Sequence, residues 1–155
     1  MLDISDCAEL AESWREQGLK VGFTNGCFDI LHPGHIKVIE EARSRCDRLI
    51  VAINSDASVA RLKGPTRPVN GQVSRGRVLS ALSAVDAVVV FEDDTPASLL
   101  NVLKPDLLVK GGDYDIASIV GADAIIDRGG EVHIVGLVEG ESTTSAIERM
   151  NARQE

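Results

Sequence analysis

Three unbroken apolar runs constrain this chain more than any other feature: Leu49-Ile50-Val51-Ala52-Ile53, Ala87-Val88-Val89-Val90-Phe91 and Leu107-Leu108-Val109. A strand with one wet face alternates apolar and polar residues, whereas a strand covered on both faces does not need to. Ahead of the first run lie segments whose apolar residues recur at helical spacing. Leu10 and Trp14 do so before Gly18, and Ile36, Ile39 and Ala42 do so after His35. Parallel neighbours in a sheet need such crossovers. The alternation predicts an α/β protein whose parallel sheet is doubly wound, with helices on both faces.

In detail, the pattern predicts strands near residues 20–24, 48–53, 87–91, 105–110 and 131–135. Helices are predicted over 6–17, 35–45, 77–82, 95–103 and 119–127, with a last one from Thr143. Thr95 reads as an N-cap followed by Pro96 at the first helical position. The stretch from Asn54 to Gly76 is rich in Gly, Pro and Asn, so it reads as a long ligand-facing loop with one helical turn near Val59. The whole is expected to be Rossmann-like, with ligands outside the carboxyl ends of the strands. Residues 1–155 suit one domain, with residues 1–19 as an N-terminal helix packed on it.

Hydrophobic residues make up 44% of the chain and aromatic ones only 3%, so the core must be built from Val, Ile, Leu and Ala. Cys7, Cys27 and Cys46 form no CxxC pair, and their odd number argues against a disulfide framework and for a reducing cytoplasm. No run of about 18 apolar residues appears, and Leu2-Asp3-Ile4-Ser5-Asp6 does not resemble an export signal, so no membrane partner is expected. A net charge of −8 disfavours nucleic acid as a partner. Within this acidic chain, however, no Asp or Glu falls between Ala57 and Val85, while Arg61, Lys63, Arg67, Arg75 and Arg77 do. Such an island is either a solvated face or a site for a small polyanion.

Thr24-Asn25-Gly26-Cys27-Phe28-Asp29-Ile30-Leu31-His32-Pro33-Gly34-His35 sits where the first strand gives way to a helix. A helix start offers free N–H groups and a positive dipole end to an anion. Gly34 permits a close backbone approach, Pro33 stiffens the entry, and His32 and His35 can donate to phosphate oxygens. Asp29 either caps a turn or approaches substrate. Lys110-Gly111-Gly112-Asp113-Tyr114 joins a cation to two glycines at another strand end, and Ser142-Thr143-Thr144 can cap the last helix while aiming hydroxyls at an anion. Arg67-Pro68 holds a guanidinium on a stiff loop. His133 lies within an apolar strand and reads as structural. Patterns for a Walker A loop, a G-x-G-x-x-G turn, a G-x-S-x-G elbow and an H-E-x-x-H helix are absent from the sequence.

Five segments together resemble one family: residues 24–35, Ala52-Ile53-Asn54-Ser55-Asp56, Arg61-Leu62-Lys63-Gly64-Pro65-Thr66-Arg67-Pro68-Val69, residues 107–114 and Glu141-Ser142-Thr143-Thr144. His-x-Gly-His is the signature of the nucleotidyltransferase superfamily. The other segments are similar to those of D-glycero-β-D-manno-heptose 1-phosphate adenylyltransferases, over about Lys20 to Met150. The resemblance implies a nucleotidyltransferase fold, with ATP and heptose 1-phosphate as substrates, Mg²⁺ held mainly by nucleotide phosphates, and a homodimer. It names no protein ligand for the metal. It assigns catalysis to His32, His35, Lys63 and Arg67, and nucleotide contacts to Thr24, Asn25, Gly26, Phe28, His32, Gly34, His35, Lys110, Gly111, Gly112, Ser142, Thr143 and Thr144. Substrate contacts would come from Asp29, Asn54, Asp56, Lys63, Arg67, Arg75 and Asp113.

Two departures stand out. The superfamily often closes with Ile-Ser-Ser-Thr-x-x-Arg, but Glu141 and Ile147 stand here in place of the isoleucine and the arginine. The activity is also often fused behind a sugar kinase, for which a chain of this length has no room, so a separate kinase is expected to supply heptose 1-phosphate. The expected reaction is direct: a sugar phosphate oxygen attacks the α-phosphorus of ATP and pyrophosphate leaves. Because that oxygen is already ionised, the histidines are expected to stabilise charge rather than to act as bases. The alternatives are a cytidylyltransferase acting on glycerol 3-phosphate or another polyol phosphate, and a nucleotide-binding module without turnover.

Overall fold

A computed structural model describes residues 1–138 and 140–151. The elements in chain order are α1 (Ile4–Glu16), β1 (Val21–Gly26), α2 (Pro33–Arg43), β2 (Arg48–Asn54), α3 (Asp56–Lys63), α4 (Gln72–Ser80), β3 (Ala87–Phe91), α5 (Ala97–Leu103), β4 (Leu107–Gly111), a 3₁₀ turn (Ile116–Ser118), α6 (Ala122–Ile126), β5 (Glu131–Val135) and α7 (Thr143–Asn151). The five strands pair in parallel in the order β3-β2-β1-β4-β5. The doubly wound α/β architecture expected from the alternation is therefore present.

Both faces of the sheet are covered, which is why the apolar runs are unbroken. In β2, Ile50 and Ala52 face a layer containing Cys7, Ala11 and Trp14 of α1, Leu99, Leu100 and Leu103 of α5, and Ile125 of α6. Leu49, Val51 and Ile53 face the opposite layer, with Ile39 and Ala42 of α2 and Leu79 of α4. All five of these β2 side chains have no exposed surface. Each large aliphatic among them contributes about 1.5–3 kcal/mol by leaving water. In α1, Asp3 caps the helix by accepting from the Asp6 N–H at 2.8 Å, and Gly18 follows its C-terminus at φ +75°.

Aspartates pin the amino ends of the strands. The Asp47, Asp86 and Asp106 carboxylates accept from the backbone N–H of Lys20, Leu49 and Val21, each at 2.8 Å. In return, their own N–H groups donate to the carbonyls of those same residues. One Asp before each of β2, β3 and β4 thus satisfies a donor at the amino end of a neighbouring strand.

The long loop expected between Asn54 and Gly76 is mostly helix. Ser55 Oγ accepts from the Ser58 N–H at 3.2 Å, Asp56 lies in the first turn of α3, and Arg61 and Lys63 lie in its last. A cap and charges that complement the helix dipole outweigh the local Gly and Pro content. Gly64 ends α3 at φ +99°, and α4 starts five residues before the expected 77, so only residues 64–71 are loop. Gly76 then lies inside α4, where a Cβ would overlap the Met1 thioether. Thr95 does not cap α5: Pro96 occupies that position, with no side-chain cap bond, and its carbonyl accepts from the Leu100 N–H at 2.8 Å.

Candidate functional site

Strand order reverses between β1 and β4, because the chain moves from β1 out to β3 on one side before returning to β4 on the other. The crossovers after the two strands therefore leave in opposite directions and open a crevice at their carboxyl ends. A cavity of about 610 Å³ lies there. It gathers the ends of β1, β2 and β4 with the starts of α2 and α7.

The wall after β1 is built around aromatic stacking. His32 occupies the N-cap position of α2, which puts Pro33 at its first position and His35 within its first turn. The two imidazoles stack with centroids 3.7 Å apart, and Phe28 tilts against His35 at 4.9 Å. Phe28 itself sits at φ +46°, a left-handed backbone that a non-glycine residue adopts at a cost of about 1 kcal/mol or more. Gly34 does not line the cavity; a Cβ there would stand 3.0 Å from the His32 ring, so this glycine makes room for the stack. Nδ1 of both histidines is buried and has no hydrogen-bond partner among the described residues.

Burial pushes the His35 imidazolium down to about 4, helped by the neighbouring His32. Burial lowers His32 as well, against a smaller opposing pull from Glu141. Both rings are therefore neutral near pH 7, each with one N–H to offer.

The positive charges come from elsewhere. Lys110, at the end of β4, donates to Asn25 Oδ1 at the end of β1, 2.7 Å across the strand reversal. Burial pushes its ammonium down to about 8. Lys63 lies at the exposed end of α3, and Arg67 reaches the cavity from the loop after it. Of the basic island, Arg61 is paired with Asp94, Arg67 with Asp29, and Arg75 with Asp56. Among the described residues, Lys63 has no carboxylate partner.

On the far wall, Ser142 Oγ accepts from the Ser145 N–H at 3.0 Å and so caps α7, and Thr143 Oγ1 donates to the Ile30 carbonyl at 3.4 Å. Ser142, Thr143 and Thr144 all line the cavity, so capping and exposure to a ligand coexist. Glu139, at the start of this last loop, lies outside the described residues.

The cavity thus brings together Thr24, Asn25, Gly26, Phe28, His32, His35, Asn54, Lys63, Arg67, Lys110, Gly111, Ser142, Thr143 and Thr144. Six expected site residues do not line it. Asp29 is buried and bonds Arg67, Val69 and Asn70. Arg75 is buried inside α4 and donates to the carbonyls of Asn70, Cys27 and Asn54 and to the Asp56 carboxylate. Both charges are consumed within the protein. Asp56 serves that network, and Gly34 serves the histidine stack. Gly112, at φ +139°, donates its N–H to the Val135 carbonyl, while Asp113 points into solvent outside the cavity. Lining residues that sequence reasoning missed include Leu62 and Thr95, while Asp94 and Tyr114 line the cavity from strand-end segments without having been assigned a contact. Their one sequence signal is position at or just beyond a strand or helix end. His133 bonds Glu41 at 3.1 Å, away from the cavity.

The described residues hold no group of three or more His, Cys, Asp or Glu side chains placed to cage a metal ion, and none of their helices is long and apolar enough to cross a membrane.

Comparison with known proteins agrees with this fold. The bifunctional protein HldE of Hyphomonas neptunium is 64% identical over 138 residues, covering 89% of this chain and 28% of that protein. HldE of Mesorhizobium japonicum is 58% identical over 152 residues, covering 98% and 31%. The chain therefore spans under a third of the length of these relatives. Among solved structures, the lipopolysaccharide core biosynthesis protein from Thermoplasma volcanium has a TM-score of 0.64 at 29% identity, covering 80% of this chain and 100% of that one. Pantoate-β-alanine ligase from Francisella tularensis has a TM-score of 0.67 at 18% identity, covering 96% and 72%, a likeness of fold alone. A family model described as cytidylyltransferase-like matches residues 23–149, from the middle of β1 to the last helix, and the chain belongs to that family.

Proposed function

We propose that the chain transfers the adenylyl group of ATP to D-glycero-β-D-manno-heptose 1-phosphate, forming ADP-heptose and pyrophosphate. The observation that carries this reading is the stacked His32–His35 pair at the start of α2, in one cavity with Lys63, Arg67 and Lys110. The relationship to HldE proteins supports it.

In the proposed step an oxygen of the sugar phosphate attacks the α-phosphorus of ATP in line. The bond from that phosphorus to the bridging oxygen breaks, and pyrophosphate leaves with the electron pair. No protein nucleophile or base is required, because the acceptor oxygen is ionised near neutral pH. His32 and His35 donate N–H groups to phosphate oxygens, and the incoming negative charge draws their pKa values back up. Lys63, Arg67 and Lys110 offset charge that moves onto the leaving group. Mg²⁺ would be held mainly by the nucleotide phosphates, as suits an ion that gives up water reluctantly, and would help to neutralise their charge. Assembly as a homodimer in the cytoplasm belongs to the same proposal, and light scattering tests the dimer.

The decisive experiment measures pyrophosphate release with ATP and CTP, each against heptose 1-phosphate and glycerol 3-phosphate. Turnover is expected with ATP and heptose 1-phosphate. Activity only with CTP, or only with glycerol 3-phosphate, refutes the assignment and selects the cytidylyltransferase alternative.

A further inference from the structure

Asp29 lies in the loop after β1, three residues before His32, yet it contributes nothing to the cavity wall. Its side chain has no exposed surface. What it holds is the 64–71 loop. The carboxylate accepts from the Val69 N–H at 2.8 Å, the Asn70 N–H at 2.8 Å and Arg67 Nε, and Asn70 Nδ2 donates to the Asp29 carbonyl at 2.8 Å. Arg75 braces the same assembly by donating to the Asn70 carbonyl at 2.9 Å and to the Cys27 carbonyl. Burial alone would raise the Asp29 carboxyl, but the Asn70 and Val69 N–H groups and Arg67 outweigh it and keep the group ionised.

Arg67, in contrast, does line the cavity, with only 13% of its side chain exposed. The bond to Asp29 uses its Nε, which leaves the two terminal nitrogens and their four N–H groups for a ligand. We propose that Asp29 is the positioning residue for Arg67: it touches no substrate, and acts by locking the guanidinium edge-on so that the opposite edge faces the phosphate chain. An arginine otherwise has many rotamers to lose on binding, and one already locked loses few. Two backbone donors share the Asp29 charge, so the carboxylate orients the guanidinium without fully neutralising it. This inference rests on the nucleotidyl-transfer reading for its kinetic readout only.

The test is a double-mutant cycle with Asp29→Asn and Arg67→Met, reading kcat/KM for pyrophosphate release, the Kd for MgATP by calorimetry, and Tm. Asp29→Asn keeps the shape but turns a donor or a weaker acceptor toward Arg67. It is expected to lower kcat/KM about 30- to 100-fold, comparable to Arg67→Met, and the double variant is expected to lie within about twofold of Arg67→Met. Multiplicative losses in the double variant overturn the proposal, because Asp29 would then act independently of Arg67. So does an Asp29→Asn protein with wild-type kinetics. Should Asp29→Asn not fold, Arg67→Lys probes the same arrangement with Asp29 intact. A single ammonium captured by Asp29 cannot also reach phosphate, so a loss as large as that of Arg67→Met is expected, and near-normal activity overturns the edge-on lock. MgATP affinity reads the cycle without turnover, so absence of heptose 1-phosphate turnover in the wild type would remove the assigned reaction and leave this inference open to its own result.

Discussion

Replacing Lys110 with methionine is expected to stabilise the protein while disabling it. Lys110 is held near the carboxyl ends of β1 and β4 by one neutral acceptor, Asn25 Oδ1, and no carboxylate pairs with it among the described residues. Burial moves its ammonium from an ordinary value of 10.5 down to about 8. At about 1.4 kcal/mol per pH unit, keeping that charge buried at neutral pH costs the fold about 3 kcal/mol. Lys110→Met retains most of the stem volume and removes the charge, but leaves Asn25 without its donor, a loss of about 1 kcal/mol. The net gain of about 2 kcal/mol corresponds to a Tm about 5 °C higher. The sign with pH follows from the lowered value. As pH rises from about 8 towards 10.5, the folded chain has already released the proton that the unfolded chain still binds, so the wild type gains stability and the variant's advantage shrinks. Thermal unfolding followed by circular dichroism at pH 7 and near pH 10 measures both effects, and pyrophosphate release is expected to fall on the order of 100-fold. A variant that melts no higher than wild type at pH 7, or whose advantage persists unchanged near pH 10, refutes the reasoning. The physical point is that an anion site must keep a charge poorly solvated until the ligand arrives.

Three further outcomes are expected. Arg75→Met strands the Asn70, Cys27 and Asn54 carbonyls and the Asp56 carboxylate, so urea denaturation should show a loss of about 3–5 kcal/mol, and an unmoved midpoint contradicts the bracing role. His35→Gln should flatten the acid limb of the stability curve. The folded ring is pushed down to about 4 while the unfolded one titrates near 6.5, so the wild type loses about 3 kcal/mol as pH falls through that window and the variant does not. Equal acid sensitivity of the two proteins in urea titrations counts against a buried neutral His35. Gly111→Ala places a methyl against Val38 Cγ2 and is expected to cost about 1–3 kcal/mol and to weaken MgATP binding. Adding Val38→Ala should restore the stability, and failure to do so places the clash elsewhere.

Much of the architecture was legible because burial on both faces leaves a direct trace: β2 and β3 read as unbroken apolar runs and folded as such. The helix in residues 56–63 was hidden, since Gly64, Pro65 and Pro68 nearby suggested loop while the signal that prevailed was the single cap Ser55. The aspartates before β2, β3 and β4 were visible as residues, but nothing in a sequence says which strand's N–H each will meet.

The candidate site divides along a similar line. Its histidine junction was determined by the sequence alone, because a strand end, a proline, a glycine and a helix start are local events. Which charges would face the cavity was decided only by the tertiary structure. Asp29, Asp56, Arg67 and Arg75 all look like surface or substrate groups when read in order. Folding brings Asp29 against Arg67 and Asp56 against Arg75, so three of the four are consumed as fasteners and only Arg67 also lines the cavity. The physical reason is that a charge takes its role from the nearest partner in space, and partners separated by 19 or 38 residues leave no periodic trace along the chain.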